Sequence, residues 1–404
     1  MHQTNLHQEL QSNTDYVIRV LDDPGALDAA AWDQLLAEQA SPTPFLRQAY
    51  LGALHSSGSA VAATGWQACF VVLEQAGQLQ AACAMYLKRH SYGEYVFDWA
   101  WADAYRRHGL HYYPKLLGAV PFTPVPGTRL LARPGPWRTR LVQAITQWTQ
   151  QQKLSSAHVL FLDETDRQAF AEAGWMMRDG VQFHWTQDLE RPVADFAALL
   201  SRLQRDKRKK IQQERRRVAE QGVVFEVLEG AAIDPAAWDF FYDCYTLTYR
   251  AHHSTPYLTR RFFALMAQHM PEHWVMFIAL REGRRIAASL IAVDAHSRSA
   301  WGRYWGCVES LPCLHFEACY YQPLAWCLAH AYQRFEGGAQ GEHKMARGLL
   351  PVATTSAHWL ADTRFAAAVA DFLAAEGQGI EQYVDELRER NPFKRDQTGS
   401  SELE

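Results

Sequence analysis

The stretch Phe335-Glu-Gly-Gly-Ala-Gln-Gly-Glu-His-Lys-Met-Ala-Arg-Gly, ending at Gly348, crowds four glycines, two bases, acids and an imidazole together. Glycines let backbone N–H groups approach a ligand closely, which marks Gly338 and Gly341 as contact positions. Lys344 and Arg347 could clamp an anionic group. Glu342 and His343 could move a proton. A second group precedes it. Glu317 lies three and four residues before Tyr320 and Tyr321, so a helix would gather all three near one face. Either Glu317 or the Glu342–His343 pair could serve as a base. The plain structural alternatives are an acid that caps or salt-bridges its helix start, and two solvated loop bases. Arg303, Tyr304 and Trp305 read as one strand, with Arg303 and Trp305 on the face opposite Tyr304, lining either a groove or a core.

The segment from Asp195 to Gln221 reads as one helix, with Leu199, Leu200, Leu203, Ile211 and Val218 as its apolar positions and Gly222 as its stop. Its other faces carry nine bases from Arg202 to Arg217. A solvated ion-paired surface, phosphate binding through Lys207, Arg208 and Arg215, and attraction to nucleic acid or an anionic membrane all fit such a helix. No helix-turn-helix or finger spacing accompanies it, so no DNA-reading role is expected. In the first half, Tyr92, Glu94, Asp98, Trp99, Trp101, Asp103, Tyr105 and His108 form an aromatic-acidic run, suited to a cationic or sugar-bearing ligand or to packing between domains. No metal is expected: His252, His253, His315 and His358 lack HExxH or Cys/His spacing. A Walker loop is also absent, because Gly341 is followed by Glu342.

These residues need elements to hold them, and a weak internal repeat suggests which. Phe70-Val-Val-Leu and Phe277-Ile-Ala-Leu each open a strand–turn–strand pattern with a glycine turn, Gly77 and Gly283. Gly93 against Gly302, Tyr112-Tyr113 against Tyr320-Tyr321 and Pro114 against Pro323 follow at an offset of about 208 residues. The reading is two copies of one α/β unit, each with a hairpin, a third strand and a helix carrying an early proline. Domains are expected over 15–190 and 191–380, followed by a polar tail over 381–404 that frays from Arg388 to Glu404. Pro121 to Pro136 holds five prolines and reads as a long surface loop.

With 404 residues and 48% hydrophobic content, the chain can bury two cores and is not disordered. A net charge of −4 gives no global pull toward nucleic acid. Met1 to Tyr16 is polar, without the apolar core of a signal peptide, and no run of about 18 apolar residues suggests a transmembrane segment. Seven cysteines without close CxxC pairs fit reduced thiols in a cytoplasmic compartment.

The runs His90-Ser-Tyr-Gly-Glu-Tyr-Val-Phe-Asp-Trp-Ala-Trp, Asp206-Lys-Arg-Lys-Lys-Ile, Gly302-Arg-Tyr-Trp-Gly, Leu314-His-Phe-Glu-Ala-Cys-Tyr-Tyr-Gln, Gly338-Ala-Gln-Gly-Glu-His-Lys and Ser356-Ala-His-Trp resemble the bacterial FemAB-like, peptidoglycan biosynthesis/recognition family. The resemblance implies α/β architecture with two tandem GNAT-like domains, each a mixed, mostly antiparallel sheet flanked by helices. It implies N-acyl or aminoacyl transfer to an amine, with a cell-wall precursor as one acceptor and acyl-CoA or aminoacyl-tRNA as donor. Lys344 resembles in position a lysine that Fem enzymes place late in the second domain. The coenzyme A turn Arg/Gln-x-x-Gly-x-Gly/Ala is not found after Trp305, nor is a coiled-coil arm. A non-catalytic module that recognises a precursor or another anion in a GNAT-like cleft is the alternative.

Overall fold

The computed structural model describes residues 16–338 and 341–394 and the backbone of Glu9–Leu10; the polar N-terminal residues up to Asp15 otherwise lie outside, as do Ala339, Gln340 and 395–404. Two compact units emerge, and neither is continuous in sequence. The first comprises 1–180, 257–270 and 353–380; the second comprises 181–256, 271–352 and 381–404. The boundaries drawn from sequence at 190 and 380 therefore differ from this partition. The reason is strand pairing: Thr355 to Leu360 lie antiparallel to Ser156–Leu162, which draws a late segment into the first unit. The following helix, Thr363–Glu389, contributes Val369 and Leu373 to a cluster with Trp101, Tyr105 and Tyr112. From Arg388 to Lys394 the tail is not frayed: the helix continues to Glu389 and Phe393 packs with the second unit's core, while 395–404 lie outside the described residues.

In the first unit, Val17–Leu21, Phe70–Gln75 and Gln78–Cys83 form an antiparallel sheet. Met85–Lys88 pairs antiparallel with Lys115–Gly118, which pairs parallel with Ser156–Leu162. The alternation Val71, Leu73, Ala81, Cys83 faces helix Trp137–Gln151, whose Leu141, Ile145 and Trp148 are buried at helical spacing. Pro121 to Pro136 is not a surface loop. Residues 121–125 and 127–132 are buried, and Leu131–Ala132 forms a short strand.

The second unit orders its strands Val223–Glu229, Trp274–Arg281, Arg284–Asp294, Ser299–Cys307, Arg334–Glu336 and the end of Met176–Thr186. Neighbours are antiparallel except Ser299–Cys307 with Arg334–Glu336. Gly306 lets helix Pro235–Ala251 lie against its strand: a Cβ there would collide with the Cys244 carbonyl oxygen. The duplication holds for the hairpins and for the antiparallel-then-parallel order, but not for the later sequence landmarks. Tyr112 and Tyr113 precede strand Lys115–Gly118, whereas Tyr320 and Tyr321 lie in a helix. Short aromatic pairs carry too little pattern to fix a register across the extra segment 89–114.

The single helix expected over 195–221 is two. Asp195 caps Phe196–Arg202 by accepting from Ala198 N–H, and Leu203 and Gln204 turn extended before Arg205–Glu220. Leu203 bridges to Phe393 there, so tertiary pairing overrides the helical pattern. Among the described residues, no helix is long and apolar enough to cross a membrane.

Candidate functional site

The parallel strands Ser299–Cys307 and Arg334–Glu336 stay paired only from Ser299 to Trp301. Beyond that point they part around a cavity of about 150 Å³, whose walls include Gly302, Arg303, Tyr304, His315, Tyr320 and Gly338. Ligands in open α/β sheets enter beyond the carboxyl ends of parallel strands, where backbone groups lose their ladder partners. A bulge shapes this wall. Leu290 pairs with Tyr304 and Ile291 with Gly302, leaving Arg303 as the extra residue. The bulge breaks the alternation expected for this strand: the Arg303 guanidinium donates to the Tyr304 hydroxyl at 3.0 Å instead of facing away from it.

A π-helical turn, Glu317–Tyr321, forms the opposite wall. Such turns insert one residue and fan side chains that an α-helix would stack. Cys319 and Tyr320 therefore face the cavity, while Glu317 opens to a groove on the other side. Glu317 is buried and accepts from Arg215 Nε at 3.1 Å and from Gln322 Nε2 at 2.8 Å. The phenol of Tyr321 is spent on Glu214, which also accepts from Arg347 at 3.0 Å. Neither Tyr321 nor Arg347 lines the cavity.

The glycine segment closes the site. Lys344 is 3% exposed and its Nζ donates to the Gly338 carbonyl at 2.9 Å. A Cβ on Gly337 would meet Lys344 Cδ at 3.2 Å, so the glycine gives the lysine its path. Burial pushes the Lys344 ammonium down to about 8. His343 Nε2 lies 3.2 Å from the Tyr320 hydroxyl. Desolvation, then Arg347 and Lys344, holds His343 below the ordinary imidazole range, so it is neutral at pH 7. Burial holds the Tyr320 phenol protonated. His315, pushed to about 4 mainly by burial, is a neutral wall. Gly341, at φ 117°, leads into the turn that carries His343.

Several sequence pairings dissolve. Glu342 does not meet His343: its carboxylate accepts from Tyr383 at 2.7 Å and lies 3.6 Å from Arg390. Adjacent residues in a tight turn point apart, which sequence adjacency conceals. Lys207 pairs with its neighbour Asp206, and neither Lys207 nor Arg208 lines the cavity or the groove. Glu214, buried and central to the network around Arg347, escaped notice because it sits within a run of bases; its i+3 spacing from Ile211 and i−4 from Val218 was the available signal. Glu336, buried beside His184 at 3.7 Å and Arg334 at 3.0 Å, ends the short parallel strand. Among the described residues, no three His, Cys, Asp or Glu side chains gather as a metal site.

No curated protein sequence matches the chain. Among solved structures it is similar to FemX, at TM-score 0.53 and 10% identity, covering 85% of this chain and 98% of that one. It is also similar to the C-terminal domain of a putative lysylphosphatidylglycerol synthetase from Agrobacterium fabrum, at 0.52 and 11%, covering 86% and 96%. L-PGS from Bacillus licheniformis gives 0.52 and 9%, covering 88% and 97%. At such identities these likenesses speak to the fold alone, and they agree with a mixed α/β chain. The family described as peptidoglycan biosynthesis/recognition matches residues 24–395, nearly the whole chain, and this chain is therefore a member of the FemAB-like family.

Proposed function

We propose that the second unit transfers an acyl or aminoacyl group from a thioester or ester to an amine, with a cell-wall precursor as acceptor. The observation that carries this reading is the parted strand pair whose cavity is lined by Tyr320 and Gly338, with His343 against the Tyr320 hydroxyl and Lys344 against the Gly338 carbonyl just behind that lining. The amine nitrogen attacks the acyl carbonyl, an N–C bond forms, and the C–S or C–O bond to the leaving group breaks. His343 takes the amine proton. Tyr320 gives its phenolic proton to the leaving sulfur or oxygen and recovers one from His343, so protons balance. The Lys344 ammonium, held behind Gly338, stabilises the oxyanion of the tetrahedral intermediate. Glu317 and Arg347 act as positioning residues, through Arg215 and Glu214 respectively.

The donor is an acyl-CoA or an aminoacyl-tRNA, and Arg303 is the cavity's cationic group for its phosphates. The free thiols of all seven cysteines fit a reducing, cytoplasmic setting. A second reading, recognition without turnover, is favoured by the two candidate bases that the fold has already spent: Glu317 on Arg215 and Glu342 on Tyr383.

Native mass spectrometry against acetyl-CoA, longer acyl-CoAs, aminoacyl-tRNA and a nucleotide-linked muramyl peptide separates the two readings. Transfer requires that an activated donor bind and that Lys344→Ala abolish product while the variant stays folded by circular dichroism. Binding of the muramyl peptide alone would establish the recognition module instead.

A further inference from the structure

Glu317 faces away from the cavity, into a groove of about 590 Å³, within the range of small-molecule sites. One wall is the helix Arg205–Glu220, which presents Gln212, Arg215 and Arg216. The other is the start of Val223–Glu229, the edge strand of its unit, which presents Val223, Val224 and Phe225. Apolar side chains line most of the groove, and Val224 stays 64% exposed although it is a large aliphatic on a strand edge. Ala219 is also exposed and Phe225 is half-buried, so three neighbouring apolar groups of the groove meet water.

Charge is distributed unevenly around it. Arg205, Lys209, Gln212 and Arg216 follow one another at three- and four-residue spacing, so they form one stripe along the helix. Gln212 and Arg216 line the groove, which places that stripe at its rim. The opposing acids are accounted for. Glu317 is neutralised by Arg215, and Glu220 lies 3.6 Å from the exposed Arg216. Lys209 is exposed. In a chain of net charge −4, the rim is locally cationic and the channel apolar.

We propose that this groove is a second binding site, separate from the cavity, for an amphiphile with an anionic phosphate head and an alkyl chain. The head sits at Arg216 and Lys209. The chain lies along Ala219, Val224 and Phe225. Glu317 and Gln322 at the groove floor belong to the same helical segment that carries Cys319 and Tyr320 into the cavity.

The test is calorimetric titration of the full chain with octyl, decyl and dodecyl phosphate below their micelle concentrations, with inorganic phosphate and dodecyl maltoside as controls. Affinity rises roughly threefold to fourfold per methylene added. Val224→Asp, a change at an exposed position, lowers it at least tenfold, and Arg216→Ala lowers it about fivefold. Affinity that is independent of chain length, or unchanged by Val224→Asp, overturns the site. Equal binding of dodecyl maltoside overturns the anionic head. Sedimentation with vesicles of phosphatidylglycerol and phosphatidylcholine, lost in Val224→Asp, identifies a bilayer source; binding of the soluble phosphates alone identifies a carried lipid. Binding is read here without turnover, so an inactive cavity leaves the result standing.

Discussion

The two units treat the same gap in opposite ways. In the first, parallel strands Lys115–Gly118 and Ser156–Leu162 are followed by a bridge between Gly127 and Leu162, so the chain itself occupies the region beyond them. Arg129 is buried there and donates to the carbonyls of Leu160, Gly127, Thr128 and Val125. In the second, the corresponding strands part around an open cavity. The lysines differ in the same sense. Lys115 is fully buried among Ser91, Glu94 and Asp98, with Tyr112 also donating to Asp98 at 2.6 Å. Lys344 has a backbone carbonyl as its hydrogen-bond acceptor, and burial lowers its proton affinity. One copy has turned its polar groups inward on each other; the other keeps Arg303, Tyr304 and Tyr320 on a cavity wall, with Lys344 buried behind Gly338.

The largest test of that contrast is a pair of lysine substitutions. Lys115→Ala leaves Asp98 buried without its cation and Glu94 with only Lys88, 3.8 Å away, and costs about 3–5 kcal/mol of unfolding free energy. Lys344→Ala removes one hydrogen bond to a carbonyl and costs less than about 1.5 kcal/mol. Urea denaturation compares them. Equal losses would mean that Lys344 is as structural as Lys115 and would break the comparison.

Gly306→Ala probes the framework of the open copy. Its Cβ would collide with the Cys244 carbonyl, a backbone atom that cannot swing aside, so about 1–3 kcal/mol is lost. Gly283→Ala, whose Cβ meets nothing within 4 Å but whose φ is +74°, is the matched control for left-handed strain without a clash. A smaller loss at Gly306 than at Gly283 would show that the helix is not pinned against that strand.

Protonation sharpens the contrast further. The folded Lys344 pKa, about 8, lies below its ordinary 10.5. Between those values the unfolded chain binds the extra proton, so the Lys344 contribution to stability rises with pH and is lost as pH falls through about 8. The difference in unfolding free energy between the wild type and Lys344→Met should therefore shift in favour of the wild type from pH 8 to 10. Comparing the two cancels the other titrating groups. A flat difference would place Lys344 in water.

How much of this was legible in the sequence depends on the range of each signal. The hairpins at Phe70 and Phe277 could be read because strand alternation and a glycine turn are local. The glycine segment announced Lys344 and Gly338 because their types are rare together. The bulge at Arg303, the π turn at Glu317 and the break at Leu203 could not be read. Each has a partner from elsewhere in the chain: Leu290 and Ile291 across the strand, Arg215 at the carboxylate, Phe393 at the break. The burial of the stretch from Pro121 to Ala132 was hidden for the same reason, since proline richness reports turns and not what covers them.

The smallest expected effect bears on the pairing that the sequence made most tempting. Glu342 is exposed and its bond to Tyr383 is a surface contact, so Glu342→Gln changes stability by no more than about 0.5 kcal/mol. Because the carboxylate points away from His343, the same change should leave transfer within about twofold, whereas His343→Ala removes the group that touches Tyr320 and lowers it at least a hundredfold. The two variants differ by one position in sequence and by everything in placement. Equal loss in both would mean that the turn rearranges when substrate binds and restores the Glu–His pair, and the open copy would then be an induced site instead of a preformed one.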